Sequence, residues 1–329
     1  MEKIDVIITW VDGNDSAWKE EKNKYSIKKY NVDERDVRYR DWDNLQYIFR
    51  GIEKYMSWVN KVHFVTWGHV PLWLDTGCSK LHIVNHKDFI PGQYLPTFSS
   101  NTIELNLHRI PGLARCYINF NDDMFVIGST QPEDFFKNGL PKDSAILSPQ
   151  PVCRGGIANI VVNNLEILND YFNIDDVKKN RNKWFSLKYG KKIIRNIIFS
   201  QFRTIIGIYE NHIPFSYLKS TAYEVWEKEQ KVLDQTCLHK FRSKEDVNEW
   251  LFREWQILSG NFVPRRIDFG DLIPLSDDTD CIINKLRNPG NTKMICINDN
   301  EYVDNFEEKK ERLNSVFEEL FPKKSVYEK

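Results

Sequence analysis

Two adjacent carboxylates, Asp122 and Asp123, close the run Asn119-Phe120-Asn121-Asp122-Asp123 at the end of a short apolar stretch over 115–120. Paired acids where a strand leaves a sheet suit a divalent cation, Mg²⁺ or Mn²⁺, over a phosphorylated ligand, because such ions take hard oxygen donors. The same three residues also read as a solvated Asn-Asp-Asp turn. Two other apolar runs end in a similar way. Residues 4–10 lead into Val11-Asp12-Gly13, and residues 294–297 lead into Asn298-Asp299. If the three strands are parallel neighbours, their acids converge along the one sheet edge where open α/β folds bind ligands.

The elements that must position these ends are legible along the chain. Residues 4–10 are apolar almost throughout, as a strand buried on both faces requires, and the Asp12-Gly13 turn tolerates positive φ. Residues 17–40 are highly charged and predict a helix followed by a loop. Leu45, Ile48, Phe49, Ile52 and Met56 recur at helical spacing, with Asp41 or Asp43 as cap. Strands over 62–67 and 81–84 follow, then a helix over 99–110, a tight Pro111-Gly112 turn and the 115–120 strand. Strands alternating with helices predict an α/β fold with a mostly parallel sheet. Further on, 245–258 predicts an amphipathic helix stopped at Ser259-Gly260. Residues 303–321 predict a charged terminal helix with Phe306, Leu313 and Phe317 on its apolar stripe.

Segment 177–209 differs in composition. Lys178, Lys179, Arg181, Lys183, Lys188, Lys191, Lys192, Arg195 and Arg203 occur there without a single acid, interleaved with Trp184, Phe185, Ile193, Ile194, Ile197, Ile198 and Phe199. Basic amphipathic segments of this kind lie on anionic membranes or hold polyanions. A helical insertion with a merely solvated basic face accounts for it equally. The expected organisation is one catalytic domain over 1–329, with a core from 1–160 and 210–300, a basic helical insertion over 161–209 and a C-terminal helix over 301–329.

Composition removes several classes of function. With 41% hydrophobic residues the 329-residue chain is not disordered, and a net charge of −1 gives no global field to recruit nucleic acid or a membrane. Six cysteines without a C-x-x-C pair read as reduced thiols of a cytosolic protein. Met1-Glu2-Lys3 enters a strand at once, leaving no room for a signal peptide, and no apolar run reaches the length of a membrane span. Trp10, Trp18, Trp42 and Trp67 stand in polar surroundings, where stacking on sugar or base rings competes with packing.

Four blocks in order resemble the Stealth family of sugar-1-phosphate transferases, which includes bacterial capsular polysaccharide phosphotransferases and an animal N-acetylglucosamine-1-phosphotransferase. The first is Ile4-Asp5-Val6-Ile7-Ile8-Thr9-Trp10-Val11-Asp12-Gly13. The second runs from Arg40-Asp41 through Trp58-Val59, His86-Lys87-Asp88, Thr97-Phe98-Ser99-Ser100, Ile103-Glu104 and His108-Arg109-Ile110 to Asn121-Asp122-Asp123. The third runs from His212-Ile213-Pro214 to His239-Lys240-Phe241-Arg242. The fourth is Lys293-Met294-Ile295-Cys296-Ile297-Asn298-Asp299. Segment 177–209 fits none of them.

The resemblance implies a Rossmann-like, GT-A-like sheet, a UDP-sugar donor, a glycan or polysaccharide acceptor and a Mg²⁺ or Mn²⁺ ion. It also implies cytoplasmic work, peripheral to the inner membrane face or to the capsule assembly machinery. By match to the family's motifs, Asp123 is the first metal or diphosphate-site carboxylate, with Asp122 and Asp299 behind it. His212 is the base, Arg242 the phosphate clamp and Glu104 an active-site glutamate. Asn101-x-x-Glu104 also has the spacing of a capping box, in which Glu104 would only satisfy a backbone N–H. Trp10, Asp12 and Gly13 are expected near uracil and ribose, Asn119 and Asn121 as ligand-orienting groups, and Asn298 as a further substrate-binding residue. His108 and Arg109 face either the diphosphate or the interior. Two rivals remain at this point: a metal-dependent glycosyltransferase that releases UDP, and a non-catalytic polyanion- or membrane-binding protein.

Overall fold

The computed structural model describes residues 2–26, 32–33, 41–151, 158–275, 279–299 and 303–329. Arg40, Cys153, Asn300 and most of the loop after residue 26 lie outside them. In chain order the elements that build the site are β1 (Ile4–Thr9), α1 (Ser16–Tyr25), α2 (Leu45–Tyr55), β2 (Val62–Thr66), β3 (Leu81–Asn85), α3 (Ser100–Asn106), β4 (Cys116–Phe120) and β5 (Met124–Val126). They continue with β6 (Phe215–Leu218), α4 (Trp250–Leu258), β7 (Gly270–Pro274), β8 (Met294–Asn298) and α5 (Phe306–Leu320).

The main sheet has the order β3-β2-β1-β4-β6. Its first four strands are parallel, and β6 is an antiparallel edge. Val6 of β1 pairs with Val62 on one side and Ile118 on the other, and all three are fully buried. The chain moves outward from β1 through β2 and β3, then returns across β1 to lay down β4. That reversal opens a crevice beyond the carboxyl ends of β1 and β4. The sequence thus reads correctly as an α/β fold with a mostly parallel sheet flanked by helices.

The third acid-terminated strand arrives by another route. β8 belongs to a second sheet of order β7-β8-β5, parallel to β7 and antiparallel to β5. The expectation that β1, β4 and β8 are parallel neighbours is therefore corrected. Asn121-Asp122-Asp123 is the corner where the chain leaves one sheet for the other. Because β8 runs against β5, its carboxyl end meets the start of β5, and the Ile297 N–H donates to the Asp123 carbonyl at 2.9 Å. Convergence comes from this antiparallel return.

Element ends shift for local reasons. Helix α4 starts at Trp250 rather than 245, because the buried Asp246 carboxylate accepts from the Ser243 N–H (2.9 Å) and the Asn101 amide (2.9 Å) and contacts His239 Nδ1 (2.7 Å). Those bonds hold the preceding residues in a turn instead of a helix. The same Asn101 bond, and the absence of any side-chain cap at Ser99, dispose of the capping box around Glu104. Asn44, not Asp41 or Asp43, occupies the N-cap of α2, while Asp41 Oδ1 takes the Asp43 N–H at 2.7 Å. Within 177–209 the helix is broken into short pieces, and Trp184 and Tyr189 are fully buried in the core that runs from Ile4 to Tyr327. No helix among the described residues is long and apolar enough to cross a membrane.

One charged pair sits inside that core. Arg253 of α4 is 1% exposed, and its guanidinium grips Asp143 through two bonds of 2.8 Å while a third reaches the Tyr209 carbonyl at 3.2 Å. Removing one partner strands the other without solvent. Asp143→Ala is expected to cost about 3–5 kcal/mol of unfolding free energy by chemical denaturation. A loss below about 1 kcal/mol would show that the pair is not the tie between α4 and the 140s segment.

Candidate functional site

A cavity of roughly 560 Å³ occupies the crevice beyond β1 and β4. Asn121, Asp122 and Asp123 line it from the inter-sheet corner, Trp10 from the end of β1, and Asn298 and Asp299 from the end of β8. Glu104 enters from α3, and His212 and Arg242 from connections in the second half of the chain. The structure therefore brings to one cavity residues that are more than 200 positions apart.

Asp123 is the centre of this arrangement. Ligand-capable atoms of Asp123, His212 and Cys296 all lie within 4.8 Å of one another. Asn298 Nδ2 donates to Asp123 Oδ2 at 3.1 Å. The other oxygen, Asp123 Oδ1, is buried without a hydrogen-bond partner among the described residues, and so is Asn121 Oδ1. Two orphaned hard oxygens beside a second carboxylate match the donor set of Mg²⁺ or Mn²⁺. Cys296 does not add to it. Burial first, then the Asp123 charge, push its thiol well above the usual range, so the sulfur stays a neutral part of the wall. Asp299 Oδ2 accepts from Trp42 Nε1 at 2.9 Å, an indole that fixes the carboxylate from α2's side.

His212 is held by backbone geometry. Its φ is +44°, a left-handed conformation that costs free energy at a non-glycine residue and concentrates at functional positions. The Glu210 carboxylate accepts the His212 backbone N–H, with Glu210 Oε1 also 3.7 Å from the ring Nδ1. The imidazole meets the Trp250 ring edge-on at 5.8 Å. The next residue, Ile213, packs on Gly270 of β7, where a Cβ would approach its side chain to 2.9 Å. Arg242 donates to Ser100 Oγ at the start of α3, which aims the guanidinium across the cavity mouth.

Negative charge is concentrated beyond what solvent alone tolerates. Burial raises the Glu104 carboxyl; a hydrogen bond from Glu249 and the charge of Arg242 pull it back, and Asp123 and Asp122 push it up again. Glu249 is raised well above the ordinary range by burial and then by Glu104. The two glutamates, 7% and 6% exposed, are both displaced toward protonation, the direction expected of two carboxyls that share a proton. Asp122 opens to solvent, yet the surrounding protein, then Asp123, then Asp41 push it up to about 7. Glu210 is also raised, by burial above all.

Other sequence-predicted site residues are placed elsewhere. His108 is buried, 1% exposed against the Tyr223 ring at 4.8 Å, and Arg109 is half-buried with its guanidinium 4.6 Å over Trp226. Burial, then the charges of Arg109 and Lys219, push His108 down to about 3, so it is a neutral packing group. Neither residue lines the cavity. Asp12 and Gly13 do not line the cavity, although Val11 beside them does. The Asp12 N–H donates to His69 Nε2 at 2.7 Å, and its carboxylate takes the Asn14 N–H at 2.8 Å. Glu249, Glu210 and Trp250 were missed as site residues, and Trp42 was marked only by its polar surroundings. Glu249 looks like a solvent-facing charge on a helix, and only the spacing Glu210-x-His212 hinted at Glu210.

The shared proton has a signed consequence for stability. Both glutamates titrate higher in the folded chain than in an unfolded one, so the folded state binds the extra proton as pH climbs through the ordinary carboxylate range. Stability therefore falls as pH rises through that window and beyond, until the pair ionises. Glu249→Gln keeps the donor and removes the ionisation. Its thermal midpoint relative to the native chain should rise between pH 5 and pH 8. A constant offset at both pH values would mean that the two carboxyls do not share a proton.

Comparison with known proteins places this cavity in a lineage. Three family models match: Stealth protein CR1, conserved region 1, over residues 2–30; Stealth protein CR2, conserved region 2, over 38–143; and Stealth protein CR4, conserved region 4, over 284–329. A capsular polysaccharide phosphotransferase WcwK of Streptococcus pneumoniae is 44% identical over 333 aligned residues, covering 100% of this chain and 99% of that protein. The receptor polysaccharide phosphotransferase WefC of Streptococcus oralis is 40% identical with full coverage of both, and the exopolysaccharide phosphotransferase cps2G of Lactiplantibacillus plantarum 34% identical over 99% of this chain and 96% of its own length. Among solved structures, the galactosyltransferase LgtC in complex with donor and acceptor sugar analogues aligns over 96% of this chain and 95% of its own at 9% identity, with a TM-score of 0.41. On the family models and the full-length relatives, the chain belongs to the Stealth family.

Proposed function

We propose that this protein is a capsule-type phosphotransferase that moves a sugar-1-phosphate from a UDP-sugar to a hydroxyl of a glycan acceptor. The relatives of matching length are named phosphotransferases of capsular, receptor or extracellular polysaccharide, which supports the transferase class. The observation that carries the finer reading is the grouping of Asp123 with His212 within 4.8 Å, under Arg242 and Glu104, at the sheet's switch point. A base, a cation-binding acid and a guanidinium around one small volume suit phosphoryl transfer, in which the protein mainly positions groups and neutralises charge.

The step balances as follows. The acceptor O–H gives its proton to the His212 imidazole while its oxygen attacks the sugar-linked phosphorus. The bond from that phosphorus to the bridging oxygen breaks, and UMP leaves with that oxygen. Arg242 holds non-bridging oxygens by its planar fork. Mg²⁺ or Mn²⁺ bound by Asp123, with Asp122 and Asn121 beside it, would supply further neutralisation of the diphosphate. Glu210 and the positive φ keep the imidazole aimed at the attacking oxygen. Trp10 and Trp42 offer apolar faces to the nucleoside and sugar rings.

The nucleotide product decides between this reaction and a glycosyl transfer in the same cavity. With donor, divalent cation and glycan acceptor, UMP is expected; UDP would mean attack on the sugar carbon. His212→Ala should lower kcat by roughly 10²–10⁴ with the fold retained by circular dichroism. A change confined to KM would remove His212 from the proton-transfer role. Asp123→Asn should abolish both turnover and Mn²⁺ binding measured by calorimetry. Native-like cation affinity would separate Asp123 from the metal.

A further inference from the structure

The helix Ile193–Phe199 is inside out. Its buried residue is a polar one, Asn196, whose Oδ1 accepts the Leu147 N–H at 2.6 Å and whose amide donates to the carbonyls of Ala145 (2.8 Å) and Trp184. That fully bonded amide fixes the helix's rotation, because turning it away would strand donors and acceptors in the core. With Asn196 inward, Ile194, Ile197 and Ile198, at spacings of three and four, are forced outward and are 55%, 53% and 54% exposed. Leu187 at 90% and Phe202 at 52% extend the same stretch of chain. Single exposed apolar residues are ordinary, but five within 16 positions, three of them on one helix face, are not.

Charge selects what covers this face. Lys178 and Lys179 are neutralised by ion pairs with Asp175 and Asp176, and the Lys192 ammonium lies over the Tyr209 ring. Lys191 and Arg203, in contrast, are exposed, and no described residue pairs with either. Lys188, next to Leu187, is taken up by the Pro264 carbonyl, to which its ammonium donates at 3.1 Å. No acid occurs between residues 177 and 209 to offset them. A polysaccharide polyanion would satisfy the cations and leave isoleucines in water. A bilayer with anionic headgroups satisfies both, taking the apolar side chains at the acyl boundary and the cations at the headgroups.

We propose that residues 187–203 are a docking surface for an anionic lipid bilayer. It goes beyond the reaction above and does not rest on it. The surface is coupled to the cavity through the backbone. Asn196 is bonded to Leu147; Leu147 bridges Ile208, and the Tyr209 N–H donates to the Ile146 carbonyl at 2.7 Å. Glu210 and His212 follow directly. A bilayer seated on the isoleucines therefore sits at a fixed place relative to the loop that carries the imidazole.

Flotation of the full chain with vesicles tests this. The probes are phosphatidylcholine vesicles with and without a third of phosphatidylglycerol, at low and high salt. The native chain should float with the anionic vesicles at low salt and much less with neutral ones. The triple substitution Ile194→Ser, Ile197→Ser, Ile198→Ser should weaken partitioning about tenfold or more. Lys191→Glu with Arg203→Glu should remove the preference for anionic lipid. All three chains should keep native circular dichroism, since the substituted side chains are exposed. Equal flotation of native and triple variant would overturn the proposal. So would a native dimer, seen by sedimentation, that the triple variant dissolves, because a second copy would then be the cover.

Discussion

Like charges repel, and this fold spends its architecture on holding carboxylates together. Glu104, Glu249, Asp122, Asp123 and Glu210 surround one cavity, and Glu104, Glu249, Asp122 and Glu210 are all shifted toward protonation, mainly by burial. Such a cluster persists only where the backbone leaves it no escape. Here the constraint is the corner at Asn121-Asp122-Asp123, pinned from both sides. β4 is locked between β1 and β6, and the Asp123 carbonyl is bonded to β8 of the second sheet. Among the described residues, Asp123 Oδ1 and Asn121 Oδ1 are left buried without a hydrogen-bond partner at that corner.

Arg242 and His212 reach that corner from elements that are themselves anchored elsewhere. The Arg253–Asp143 pair ties α4, which begins immediately after Glu249, to the 140s segment. That segment bridges to residues 208–209, which lead into Glu210 and His212. Arg242 is steadied by Ser100 at the start of the helix that carries Glu104. One network of packed and hydrogen-bonded groups thus spans the acid cluster, the imidazole and the guanidinium. The same 140s segment receives the Asn196 amide, which turns three isoleucines outward.

Much of this was legible in the residues, and the failures have physical causes. Continuous apolar runs marked β1, β4 and β8, because strands covered on both faces need no polar side chains. Motif resemblance then pointed to Asp123, His212, Arg242 and Glu104, which the fold brings to one cavity. Pairing was not legible, since β8 looks the same whether it joins β1 or turns back on β5. The start of α4 was missed because Asp246 makes tertiary bonds that periodicity does not register. His108 and Arg109 could face the diphosphate or the interior on sequence alone, and their rings and charge lie against Tyr223 and Trp226. Glu249 was missed for the opposite reason: an exposed-looking helix charge turned out to be a buried partner of Glu104. In segment 177–209, composition marked the basic and apolar character correctly. Only the Asn196 contacts show which side faces out.

The central claim is that phosphorus travels with the sugar. A UDP-sugar donor labelled with ³²P only at the sugar-linked phosphorus follows that atom directly. Incubated with acceptor glycan and a divalent cation, the native chain should move the label into the polysaccharide fraction, in a phosphodiester that survives phosphatase. Label that remains with the nucleotide while sugar enters the glycan would contradict the account.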